Sequence, residues 1–323
     1  MKKTILLFLI LYCSTVQAAS VGLMVKDCGI SFGNSPRLNG LRINVVDKHV
    51  EAVNGLNLTL WVPGKNPDFV MNGLAVGLIA PDARRLNGVT IGGIGVACDQ
   101  GCGLAVGPIG VGADDFTGVA VGGIGIGGDR VTGVALGGLG VGADDFTGLA
   151  LGGLGVGSDR MTGLAIGGLG VGADKLIGVA IGGLGVGSDN ITGAAIGGLG
   201  VGGDRLNGMF IGGLGVGGDK MTGLFVGGLA VGGDEISGLV LAGGVVGGDL
   251  IRGGTIAGLG IKADELKGFK IAPYCHAGTE MAGVSIAIVN IARNLKGLQI
   301  GLINIAHNNS APFKVTPLFN YHK

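Results

Sequence analysis

The sequence predicts an all-β fold, a β-solenoid (β-helix-like) of about eighteen 15-residue coils with atypical capping units at both ends. Three observations predict it. Glycine supplies 74 of 323 residues, the glycines recur on a fixed period, and short apolar alternations fill the gaps between them. Glycine this abundant means either disorder or a strictly repeated architecture, and the high content of Leu, Ile, Val and Ala argues against disorder. The lead glycine of each unit falls at Gly73, Gly88, Gly103, Gly118, Gly133, Gly148, Gly163, Gly178 and Gly193, and the series runs on through Gly208 to Gly283 at steps of fifteen residues. Such self-similarity is the signature of stacked repeats, each burying its neighbour's apolar face.

The chain divides into four segments in order. Residues 1–18 read as a signal peptide: Lys2 and Lys3 form a basic start, Thr4 to Tyr12 an apolar stretch, and Val16-Gln17-Ala18 a cleavage site. Cys13 follows the bulky Tyr12, where a lipidation signal wants a small residue. Residues 19–39 form an N-terminal cap, 40–311 the repeat, and 312–323 a C-terminal cap. Degenerate units begin at Gly40 and Gly55, and Gly297 leads one downstream. Between Gly55 and Gly73 the step is eighteen, and the excess falls in Pro63-Gly64-Lys65-Asn66-Pro67, which reads as a loop insertion. The recurring aspartates leave no other stretch able to cross a membrane as a helix.

Within a unit such as Gly163–Ile177, Leu164 and Ile166 alternate as a half-buried strand, Gly167-Gly168 breaks the phase, and Leu169 and Val171 begin a second strand. Gly172 to Lys175 reads as a turn, and Leu176 returns inward. The fourth residue after the lead glycine is Gly or Ala only, which suggests a steric limit. The fifth accepts Pro108, which predicts a backbone that donates no ladder bond there. The seventh is mostly Gly, with Asn290 and Asn304 aligned to it in the last units, which predicts a left-handed corner. At ~4.8 Å per coil the stack would be roughly 85 Å long. A transmembrane β-barrel of strand-plus-turn units is the rival architecture, but it wants unbroken alternation over about ten residues, which the Gly-Gly pair interrupts.

The end units resemble a known family. Gly297-Leu-Gln-Ile-Gly-Leu-Ile-Asn304-Ile-Ala, then Asn308 and Pro312-Phe-Lys-Val-Thr-Pro-Leu-Phe-Asn320, looks like the closing segment of the bacterial, leptospiral-type surface repeat-containing proteins. Asn39-Gly-Leu-Arg-Ile-Asn44 and Asn54-Gly-Leu-Asn-Leu58 resemble that family's opening units. The likeness covers about residues 36–80 and 283–320, and the central units read as an expanded, glycine-rich form of the same coil. The resemblance implies export and an envelope or outer-surface location, and it implies no chemistry.

Chemistry-bearing positions form columns. Asp99, Asp114, Asp129, Asp144, Asp159, Asp174, Asp189, Asp204, Asp219, Asp234, Asp249 and Asp264 recur once per unit. Like charges stacked a strand apart repel, so they need compensation. They can cap backbone N–H groups of their own turn. They can exchange salt with Arg130, Arg160, Lys175, Arg205 and Lys220 in the next column. Or they can bind calcium, since Gly170-Val-Gly172-Ala-Asp174-Lys-Leu176 matches the core of a calcium-binding nonapeptide. Only one turn per coil presents that motif, however, and calcium takes six to eight oxygens. Thr117, Thr132, Thr147, Thr162, Thr192 and Thr222 make a further column that could order water, or simply favour strands.

Phe210 and Phe225, followed by Val240, replace alanine in another column; facing outward they would form a partner patch, facing inward they would fill a wider core. Cys98 and Cys102 flank one turn and are a disulfide candidate in an oxidising compartment. Cys275 lies twelve coils on, roughly 55–60 Å away by strand spacing, too far for a bridge or zinc site with them. His49, His276, His307 and His322 lie outside the regular units, and no nucleophile motif or phosphate-loop Gly-Lys-Ser/Thr occurs. Equal counts of 22 basic and 22 acidic residues argue against a nucleic-acid partner. The expectation is a non-enzymatic, secreted or outer-membrane structural or adhesive protein without cofactor. Its partner is unknown, with an envelope or host-surface component as one candidate. The alternatives are a calcium-dependent β-roll-like module and a ligand-binding surface protein or outer-membrane barrel.

Overall fold

The computed structural model describes residues 20–64 and 66–323. The predicted signal segment, residues 1–18, lies outside the described residues. The described chain is all-β, with stacked parallel coils of about 15 residues: a β-solenoid, as the glycine period predicts. It forms two compact units that divide between Thr147 and Gly148.

In the first unit an antiparallel hairpin, Val21–Val25 with Cys28–Phe32, lies at the start. Its second strand pairs in parallel with Arg37–Asn44, which pairs with Ala52–Thr59 and then Val70–Gly77. The insertion between Gly55 and Gly73 is pinned by Asn66, whose side chain donates to Asp47 O at 2.8 Å and accepts from Val50 N at 3.1 Å. From Gly95 onward the coils are regular, each a 13-residue strand, as in Gly110–Gly122 and Gly125–Gly137. In the second unit the same coils run from Gly155–Gly167 to Val245–Ala257, parallel and in register at fifteen-residue offsets. The strand Val315–His322 closes this unit by pairing antiparallel with Gly297–Ile305. A β-barrel of antiparallel strands is therefore not the architecture.

The lead glycines explain the strictness of the period. From Gly40 to Gly297 each has a positive φ, +129° at Gly178 for example. A Cβ there would overlap the carbonyl oxygen of the lead glycine one coil earlier. Only glycine meets both demands. The positive-φ residue of each coil is thus the lead glycine, inside the strand, and not the seventh position. A one-residue deletion at the Pro273 corner moves Asn290 into register with Cys275 and Ile261, a core column. The fourth position is tight, as expected: a Cβ on Gly167 would strike Gly170 O, and nothing larger than the buried Ala242, Ala257, Ala272 and Ala287 takes it in the later coils. The fifth position does donate ladder bonds where it is not proline: Gly168 N reaches Gly152 O at 3.0 Å.

Side-chain phase differs from the expectation. The residues buried in a regular coil are Ala165, Gly167, Val171 and Leu176, while Leu164, Ile166 and Leu169 face outward. A fifteen-residue coil encloses so little space that its innermost column takes a methyl group, and the larger aliphatics are displaced to the outside. Where Phe210 and Phe225 enter that innermost column, they stack at 5.6 Å and 8° with no exposure. The strand is interrupted at Gly203-Asp204, ahead of Phe210, and again at Gly218-Asp219, between Phe210 and Phe225.

Candidate functional site

The outside of a regular coil carries three kinds of column. The first residue after the lead glycine, the third and the sixth are aliphatic; Leu169, Leu184, Leu199 and Leu214 in the sixth position are each about half exposed. The ninth position is glycine in every second-unit coil from Gly157 to Gly247, ending where Lys262 and then His276 enter its register. Nothing lies within 4 Å of a Cβ built on Gly157, Gly172 or Gly187, and none of these glycines has the positive φ of the lead position. Beyond it come the polar columns: aspartate, then mixed charge, then threonine.

All twelve ladder aspartates, from Asp99 to Asp264, are exposed. Their backbone carbonyls accept main-chain bonds from the next coil, as from Lys220 N to Asp204 O and from Glu235 N to Asp219 O, both 2.8 Å. The turn is therefore held by main-chain pairing between coils. Charge exchange is seen in the adjacent column, where the Arg130 fork grips Asp115 through Nε at 2.7 Å and Nη2 at 3.1 Å. In the second unit Asp189, Asn190, Asp204, Arg205, Asp219 and Lys220 line an open trough of about 280 Å³. Each coil contributes one ladder carboxylate, and among the described residues no three His, Cys, Asp or Glu side chains converge as a metal set. The threonine column is exposed along both units.

Two predicted sites are corrected. Phe210, Phe225 and Val240 are each fully buried, so they belong to the core and offer no patch to a partner. Cys98 and Cys102 are both free thiols: Cys98 points into the core and Cys102 outward. The alternation slips by one residue at Asp99-Gln100, which puts Cys98 inside and Cys102 outside, and Cys98 has a packing role. Gly101 leaves the column of Leu86 and Phe116 without a side chain, and the Cys98 sulfur and Phe116 ring occupy that space. Burial and the charges of Asp99, Asp82 and Asp114 push the Cys98 thiol up to about 12. Cys28 and Cys275 are free as well.

Sequence reasoning missed the polar cores. In the first unit the innermost column begins Ser31, Arg42, Asn57 before it turns to Ala75. Arg42 and Asp47 form a fully buried ion pair at 3.1 Å, and Asp47 also accepts from Thr59 at 2.7 Å and Asn57 at 3.0 Å. Burial lowers the Arg42 pKa, and Asp47 opposes that. In the second unit the same column reads Thr255, Lys270, Ser285, Gln299, all buried. The Lys270 ammonium donates to Gly253 O and Lys267 O, both at 2.8 Å, and burial lowers its pKa to about 8. Ser285 donates to Asn290 at 2.6 Å, and Asn290 donates to Asn304 at 2.8 Å. The signal was present in the sequence: polar residues stand in register with alanines, two residues after the lead glycine. A further ladder of exposed side-chain amides links Asn39, Asn54, Asn72 and Asn87 at 2.7–2.8 Å.

No family model matches the chain, and neither a curated protein nor a solved structure matches it significantly.

Proposed function

We propose that the chain is a non-enzymatic, exported repeat protein that serves as a structural or adhesive scaffold of the cell envelope. One observation carries this reading: the outer surface of each unit repeats its chemistry once per coil, with aliphatic, glycine, aspartate and threonine columns in parallel register. A translationally repeating surface suits an extended or repeating partner better than a single small substrate. The basic and apolar start of the chain, with its Val16-Gln17-Ala18 site, supports export, and the resemblance of the end units supports an envelope location. The test is fractionation of a Gram-negative host expressing the whole chain, with and without residues 1–18. Envelope recovery that depends on those residues is expected; retention in the cytoplasm would refute the reading.

The trough beside Asp189, Asp204 and Asp219 favours a second reading, a calcium-responsive exported module. Dialysis of the pure protein against radioactive calcium separates the two readings, because a passive scaffold takes up none at micromolar concentration.

A further inference from the structure

The second unit leaves an outward apolar surface without a partner, two columns on the strand after the lead glycine and the leucine ridge at the bend that follows it. In the seven coils led by Gly148 through Gly238, the first, third and sixth positions are aliphatic almost throughout, and no Asp, Glu, Lys or Arg occurs among them. Val179, Ile181, Ile196 and Met209 are between 36% and 42% exposed, and the Leu169–Leu214 ridge is more open still. About twenty such residues point outward, matching the roughly 20–30 residues a side of a stable protein interface. Monomers seldom expose a contiguous apolar patch of more than a few hundred Å².

We infer that this face is the contact surface for a second copy of the same chain, apolar sheet against apolar sheet. The glycine column beside the leucine ridge selects that occupant. The fold does not require glycine at Gly157, Gly172 or Gly187, because a side chain there would meet open space and the backbone is ordinary. Glycine weakens a strand interior, and where the strand itself gives no reason for it, it marks a place where a ligand or another chain approaches closely. A fluid lipid phase would adapt to any shape and would gain from a larger apolar residue in that column. Only a rigid partner gains from a groove, and the leucine ridge of a second copy has the shape to fill it. The repeat adds a second constraint. Ridges spaced by one coil stay in register over seven coils only against a surface of the same pitch, which this chain itself supplies. Lys262 and His276 end the glycine column and so bound the contact. The second unit, with 12 basic and 11 acidic residues, leaves two copies without strong net repulsion.

This inference is independent of where the protein resides, so it can fail without disturbing the envelope reading, and the reverse. Sedimentation velocity on the purified chain, from sub-micromolar to tens of micromolar, tests it with two variants. One carries Leu169→Lys, Leu184→Lys and Leu199→Lys on the ridge; the other carries Gly172→Val and Gly187→Val in the groove. All five positions are open, so far-UV circular dichroism and the melt are expected to stay close to those of the parent. The expected result is a dimer that both variants weaken at least tenfold. A parent chain monomeric throughout overturns the inference, as does a dimer that neither variant weakens. Flotation with phosphatidylcholine vesicles is run in parallel. Vesicle binding by a monomeric parent, lost in the lysine variant and strengthened in the valine variant, would assign the face to lipid and overturn the second-copy reading.

Discussion

Two stretches of the second unit place different chemistry in the same innermost column. In the coils led by Gly163, Gly178 and Gly193 the column is Ala165, Ala180 and Ala195; further along it is Thr255, Lys270, Ser285 and Gln299. Every one of these residues is buried, yet the first set needs nothing from its surroundings and the second needs hydrogen bonds. The alanine stretch accepts any coil of the same shape as its neighbour. The polar stretch is particular, because Ser285 must find Asn290, and Asn290 must find Asn304, each at its own height in the stack. Thr255 Oγ1 and Gln299 Oε1 find no partner at all, so even this stretch is incompletely satisfied. Interchangeable coils permit regular length, and particular coils near an end fix where the pattern stops.

The largest effect should come from the feature both stretches share. Gly178→Val places a Cβ against Gly163 O at a φ of +129° and should remove more than about 4 kcal/mol, or prevent folding, read as the urea midpoint. Next is the column itself. Phe210→Ala should cost about 3–5 kcal/mol through the cavity left beside Phe225, whereas Ala180→Phe should cost about 1–3 kcal/mol by overpacking a narrower section. If Ala180→Phe were neutral, width would be a local choice of side chain and not a property of the coil.

The polar stretch should show a pH dependence that the alanine stretch lacks. Lys270 has a folded-state pKa of about 8 against 10.5 for an ordinary lysine, so the unfolded chain holds the proton more tightly. Stability therefore rises with pH between these values, by on the order of 3 kcal/mol in the limit, and below pH 8 the full penalty of the buried charge is present. Burial also pushes the Cys275 thiol upward, and that works in the opposite direction above about pH 9. Melts between pH 7.5 and 9 should climb in the parent and stay flat in Lys270→Met; a flat parent would mean that its two carbonyl contacts fully offset burial. The smallest effect belongs to the ladder. Asp174→Asn with Asp189→Asn should change stability by no more than about 0.5 kcal/mol, with the same melt in EDTA and in millimolar calcium. A rise of several degrees with calcium would move the ladder from surface decoration to binding site.

The period made the fold legible, because a positive-φ glycine that also abuts its predecessor's carbonyl admits no substitute. Leu176 was legible as interior for the same reason. The phase of Leu164 and Ile166 was not, since alternation marks two faces without saying which one is inside. A coil narrow enough to prefer Ala165 inverts the usual rule that the bulkier residue is buried. That inversion also hid the role of Phe210 and Phe225, and it left Lys270 looking like one more surface lysine. Cys98 and Cys102 looked like a bridge because sequence distance does not show that a strand turns them to opposite sides. The aspartate ladder was visible as a column, but its exposure depended on knowing that main-chain bonds already hold the turn.

Coil-to-coil pairing has a kinetic consequence. Residues joined across neighbouring coils, such as Leu184 N with Leu169 O, are separated by one period wherever the repeat is regular. The loop that must close before a new coil can form is therefore as short at the end of the stack as at its start. Growth of the stack adds coils without adding longer-range search, unlike most parallel-sheet proteins, whose distant strands make folding slow. A chain delivered end first can complete each coil as soon as about fifteen more residues emerge, using the coil before it as template.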